Sequence, residues 1–148
     1  LLGDLLYTSA FRMIVDLDDM EVMRVLSDAT NVIAEGEVAY RELLAAPASR
    51  TPEAWLDIAR RRRAKLFEAG AECMAIVHGA DPATRSALAR VGLHVGSAHA
   101  LRSEAEDAAR FGIVDALVRA QAEIDAARAV VDGLALAEAA ALVGVVEG

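Results

Sequence analysis

This chain has little of what a sheet protein, a secreted scaffold or a nucleic-acid binder needs. Only 4% of its 148 residues are aromatic, whereas β-branched and aromatic residues dominate strands. Its one cysteine, Cys73, excludes an intramolecular disulfide and points to a reducing cytoplasm. Lys and Arg number 15 against 23 Asp and Glu, a net charge of −8, which leaves no basic footprint for nucleic acid. Polar residues interrupt every apolar stretch before the roughly 20 residues of a membrane span. The opening LLGDLLY has no basic region of a secretory signal and is expected to continue a preceding segment.

What is present is alanine and aliphatic residue in abundance. Hydrophobic residues make up 55% of the chain, a mixture that favours close-packed helices. The length fits a single helical domain over 1–148 with a real core. The mean hydropathy of +0.33 is high for a small monomer, so an apolar face is expected to meet a partner or to line a cavity.

Periodicity predicts six helices. The first runs from about Asp4, as N-cap, to Val15. The second runs from Met20 to Leu44, with Val22, Leu26, Ala29, Ile33 and Gly36 on one stripe and the polar line Arg24, Asp28, Asn31, Glu35 facing solvent or a partner. Thr51-Pro52-Glu53 opens the third, which extends to His78; Asp81-Pro82 opens the fourth, which extends to Arg110. The fifth carries Ile113, Leu117, Ala120, Ile124 and Val131 on one face. Asp132-Gly133 reads as a turn before a short apolar helix. Long helices joined by short loops predict an all-α antiparallel bundle.

Candidate chemistry is sparse. On the third helix the stripe Trp55, Ile58, Arg62, Leu66, Ala69, Cys73, Ile76 places a guanidinium among apolar neighbours, where it must either snorkel outward or meet an anion. Its neighbours Arg60, Arg61 and Arg63 read as solvated surface, and an arginine so placed suits phosphate. Glu104 and Asp107, three apart beside Ser103, could hold Mg²⁺ or could form a solvated helix end. His94 and His99 are five apart, wrong for chelation from one face, and His78 suits a helix C-terminus. No Gly-rich phosphate loop or nucleophile motif occurs.

Three segments, GDLLYTSAFRMI (3–14), MRVLSDATNVIAEGEV (23–38) and AKLFEAGAECMAIVHGADP (64–82), resemble consecutive helices of the bacterial trans-polyprenyl diphosphate synthases, the octaprenyl type above all, and GLHVGSAHAL (92–101) resembles the stretch leading into that family's second aspartate-rich motif. Residues 1–110 resemble the central helices of that family, and 113–148 its C-terminal helices. The resemblance implies the isoprenoid synthase fold with part of the bundle missing. It also implies an activity: condensation of isopentenyl diphosphate with an allylic diphosphate held through Mg²⁺ between two aspartate-rich motifs. The first motif would precede Leu1. The second falls on residues 103–107, leaving Glu104 and Asp107 as a vestigial metal pair. The family's Lys-Thr diphosphate contact falls on Arg62 and Arg63, vestigial in the same sense. Gly36, Glu37 and Tyr40 correspond to the cavity wall, and the helices after the second motif are missing between Arg110 and Ile113.

Two facing metal sites cannot be built from these residues, so no catalytic residue is assigned and the chain is expected to be inactive alone. The reading that follows is a non-catalytic or regulatory subunit-like bundle of isoprenoid biosynthesis, in a homodimer or paired with a catalytic synthase subunit. It needs no cofactor of its own and has no nucleic-acid partner and no membrane span. The alternatives are part of an active, Mg²⁺-dependent synthase and a helical lipid-binding or structural protein.

Overall fold

The structure is a computed structural model that describes residues 1–134, and every regular element among them is helical. In chain order these are α1 (Leu2–Asp16), α2 (Met20–Ala45), a 3₁₀ turn (Pro47–Ser49), α3 (Pro52–Ala59), a π-helical turn (Arg60–Ala64), α4 (Lys65–Val77), α5 (Pro82–Ser103), α6 (Ala105–Arg110) and α7 (Ala116–Leu134).

Three starts follow from local chemistry. The side chain of Asp19 accepts from the N–H groups of Glu21 and Val22, Thr51 accepts from Ala54, and Asp81 accepts from Ala83 and Thr84. Each satisfies donors that a helix N-terminus leaves open. Pro52 and Pro82 then occupy first-turn positions where no N–H is needed. Asp4 is not a cap: α1 begins at Leu2, and Asp4 lies within its first turn. Gly79, at φ +67°, takes the left-handed conformation that ends α4, and its N–H bonds the Ile76 carbonyl.

α5 is the axis of the bundle. It packs on α4 and on α7, α4 packs on α2, and α1 touches mainly α2. Small residues make this possible, because Val91, Gly92, Gly96, Ala98 and Ala100 bury α5 on several sides. The core joins Leu43, Trp55, Ile58, Leu101, Phe111, Ile113 and the alanine-rich inner face of α7. α2 buries Val22, Ala29, Gly36 and Leu43 at an even seven-residue spacing, and its line Arg24, Asp28, Asn31, Glu35 is exposed. α1 buries no residue, so its leucines stay open.

Four sequence expectations shift. The third helix is one rod from Pro52 to Val77, but the π turn adds a residue to its middle. The apolar stripe therefore slips, and Leu66 is 58% exposed while Ala69 and Cys73 stay buried. The fourth helix breaks at Glu104, and α6 follows. On α7 the inner face is Ala116, Ala120, Ile124, Ala127, Val131, and Leu117 is 67% exposed, since Leu117 is one position round from the 4-4-3-4 spacing. Asp132-Gly133 does not turn the chain: both residues lie within α7, beside the buried Val131, and a helical glycine costs only about 1 kcal/mol. The final apolar helix expected after Gly133 lies outside the described residues.

Candidate functional site

The π turn organises the site. The N–H of Lys65 bonds the Arg60 carbonyl, five residues back, and the widened turn carries four consecutive arginines. Arg60 reaches Glu123 on α7, Arg61 turns back to Asp57, Arg62 points at α2, and Arg63 meets Glu104. α2 approaches closely at Gly36, where an added Cβ would lie 3.0 Å from both Arg61 Cβ and Arg62 Cγ. A side chain there would push the two elements apart.

Arg62 is the centre, with a side chain only 8% exposed. Its Nε donates to Glu37 Oε1 at 3.0 Å, and one terminal nitrogen stands 3.7 Å from Glu104 Oε2. The guanidinium carbon sits 4.0 Å from the centre of the Tyr40 ring, in cation–π contact. Arg62 therefore meets anions instead of snorkelling outward. Arg63 Nε donates to Glu104 Oε1 at 2.5 Å. Behind them, Asp107 Oδ2 accepts from the Tyr40 hydroxyl at 2.7 Å and from the Trp55 indole N–H at 2.9 Å, and Arg110 approaches Oδ1 at 3.8 Å. A cleft of about 490 Å³, lined by Ser103, Glu104, Glu106, Asp107 and two arginines, opens beside the cluster.

The residues singled out from sequence, Gly36, Glu37, Tyr40, Arg62, Arg63, Glu104 and Asp107, thus meet at one place. Sequence reasoning missed Trp55 as a donor to Asp107 and Arg110 as a counter-ion. The signal for Trp55 was its place on the Arg62 stripe; its indole N–H must find a partner when buried. The histidines lie apart. His94 Nδ1 contacts Glu123 Oε2 at 2.6 Å, the His99 ring lies tilted against Phe67, and His78 Nδ1 contacts the Met74 carbonyl.

Mg²⁺ does not fit these side chains as they stand. Both oxygens of Glu104 face guanidinium groups and one oxygen of Asp107 already takes two donors, so the acids are neutralised from within. Among the described residues no group of three or more acidic, His or Cys side chains could hold a metal. A hard cation that keeps six oxygens would have to displace arginines from the same carboxylates.

The cluster leaves one titration signature. Burial pushes the Tyr40 phenol up to about 12, with the hydrogen bond to Asp107 and its charge adding to the effect and Arg62 opposing it. The ordinary value is about 10. Because the folded state favours the neutral phenol, its contribution to stability is whole below pH 10 and is lost as pH rises through about 12. Absorbance at 295 nm should reveal a tyrosine that ionises only near pH 12 and is missing in Tyr40→Phe. Its absence from the parent protein would mean the hydroxyl is solvated.

The chain is matched over residues 1–109 by the model of the polyprenyl synthetase family. It is 39% identical over 101 residues to the octaprenyl diphosphate synthase of Escherichia coli, covering 68% of this chain and 31% of that protein. It is 38% identical over 98 residues to the all-trans-nonaprenyl-diphosphate synthase of Rhodobacter capsulatus, covering 66% and 30%. The chain thus spans about a third of the length of the curated relatives it matches. Among solved structures, a polyprenyl synthase of Caulobacter crescentus in complex with calcium and isoprenyl diphosphate aligns with a TM-score of 0.62 at 26% identity, covering 88% of this chain and 55% of that one. A polyprenyl synthase of Roseobacter denitrificans aligns with a TM-score of 0.78 at 21% identity over 97% and 67%, and so shows the fold. By its sequence over residues 1–109, this chain belongs to the polyprenyl synthetase family.

Proposed function

We propose that this chain is a synthase-like helical domain of isoprenoid biosynthesis that does not transfer prenyl groups by itself. On this reading it acts in the cytoplasm as a non-catalytic or regulatory subunit, beside a second copy or a catalytic synthase. The supporting observation is the closed charge cluster: Arg62 and Arg63 hold Glu104, while Tyr40 and Trp55 hold Asp107. Prenyl transfer depends on pulling charge from a departing diphosphate, and acids held by arginines, a phenol hydroxyl and an indole N–H are not free to bind a metal for that task. The exposed leucines of α1 are the face that a partner subunit would cover. Cys73 is buried, and burial pushes its thiol up, as suits an inert cysteine in a reducing compartment.

The test is prenyl transfer by the purified chain with labelled isopentenyl diphosphate, an allylic diphosphate and Mg²⁺. No elongation is expected from the chain alone, and addition to a catalytic polyprenyl synthase should alter that enzyme's product length or its elution on size exclusion. Elongation by the chain alone that disappears in Asp107→Asn would overturn the reading. It would support the alternative, an active synthase that binds isopentenyl and allylic diphosphates through Mg²⁺.

A further inference from the structure

Glu104 is the single residue between two helices. α5 ends at Ser103, α6 begins at Ala105, and Glu104 takes φ −115° and ψ 28° between them. Its backbone is nonetheless fixed, since its N–H bonds the Ala100 carbonyl and its carbonyl accepts from Ala108. The side chain is therefore aimed from a held pivot, and it points into the arginine pair. Its two oxygens divide between the guanidiniums, Oε1 on Arg63 and Oε2 toward Arg62, as two oxygens of a bound anion would.

We infer that Glu104 is an internal anion that plugs a diphosphate-type site formed by Arg62 and Arg63, so that these arginines take a free anion only when the Glu104 carboxylate withdraws or loses its charge. The inference rests on the reading of Arg62 and Arg63 as the diphosphate contact.

Charge balance supports it. The ion pairs of the cluster join three guanidiniums (Arg62, Arg63, Arg110) to three carboxylates (Glu37, Glu104, Asp107), and the sum is zero. A balanced cluster holds no attraction for a further anion, and Glu104 at 17% exposure would repel one arriving through the adjoining cleft. Removing the Glu104 charge leaves one positive charge in surplus in the cluster beside that cleft. The other two acids of the cluster are already engaged: Glu37 is bound to Arg62 at Nε, a different nitrogen from the one nearest Glu104, and Asp107 is held by Tyr40 and Trp55. Arg62 stays positioned without Glu104, because Glu37 and the Tyr40 ring still hold it.

The experiment is calorimetric titration of inorganic pyrophosphate into the parent chain, Glu104→Gln, Glu104→Ala and the double variant Glu104→Gln/Arg62→Ala, in magnesium-free buffer with a chelator. Both single variants should bind at least about tenfold more tightly than the parent, the scale of one restored charge-assisted contact. The double variant should lose the gain. Equal affinities in the parent and the single variants would overturn the plug, as would a gain that survives loss of Arg62. Loss of cooperative helical melting in both single variants would assign Glu104 a scaffold role and overturn it too. Absence of pyrophosphate binding in all four proteins would overturn the diphosphate contact on which the plug rests, and prenyl transfer by the parent chain would overturn the functional reading instead, so the failures are distinguishable.

Discussion

Trp55→Ala should destabilise the fold by about 3–5 kcal/mol, the range for truncating a large buried aromatic. Trp55 is 1% exposed and lies in the core with Leu43, Ile58, Leu101 and Phe111. Its indole N–H is also one of two donors to Asp107 Oδ2. Two terms are therefore lost, a core volume and a hydrogen bond to a half-buried carboxylate. Trp55→Phe separates them: it keeps most of the volume and should cost about 1–2 kcal/mol for the missing donor. Urea unfolding followed by circular dichroism is the suitable measurement, because the chain has no second tryptophan to report by fluorescence. If Trp55→Ala unfolds within about 1 kcal/mol of the parent, where ordinary substitutions fall, Trp55 is not the packing anchor described.

Adding a single methyl at Gly96 should have a comparable effect through steric overlap. A Cβ there would lie 2.5 Å from Ala64 Cα and 3.0 Å from Phe67 Cβ, so α5 and the π turn must separate. At Gly92, one turn earlier, an added Cβ meets the backbone of Phe67 and Glu68, which cannot swing aside. Gly96→Ala and Gly92→Ala should each destabilise by about 3 kcal/mol, the upper range for overpacking. Gly70→Ala is the internal control. It lies on α4 with nothing within 4 Å of its added Cβ, and the helix propensity of alanine should stabilise it by about 1 kcal/mol. The opposite signs are the test. A neutral Gly96→Ala would show that α5 does not press on the π turn. Displacement of α5 would also move Glu104 away from Arg62 and Arg63, so Gly96→Ala should weaken the charge cluster as well as the core.

The parts of the fold legible in sequence were those governed by local chemistry. Thr51-Pro52 and Asp81-Pro82 marked helix starts because capping needs only the next three residues. The stripe Val22, Ala29, Gly36 was visible because burial on one face imposes a period. What failed did so for a reason of the same kind. A π turn carries no residue signature, so the register slip that exposes Leu66 had to be seen in space. Asp132-Gly133 is a turn signal only where no packing partner holds the helix, and Val131 is buried.

The candidate site divides in the same way. The sequence by itself determined the helical class, the family resemblance over the first hundred residues, and the anomaly of an arginine on an apolar stripe, because each is a matter of composition, order or period along one chain. Only the tertiary structure decided what that arginine meets. Glu37 and Tyr40 come from one stretch of chain and Glu104 and Asp107 from another, both distant in sequence from Arg62. Whether such acids face a metal or a guanidinium depends on how those stretches pack, since a carboxylate binds whichever positive group its surroundings bring within reach.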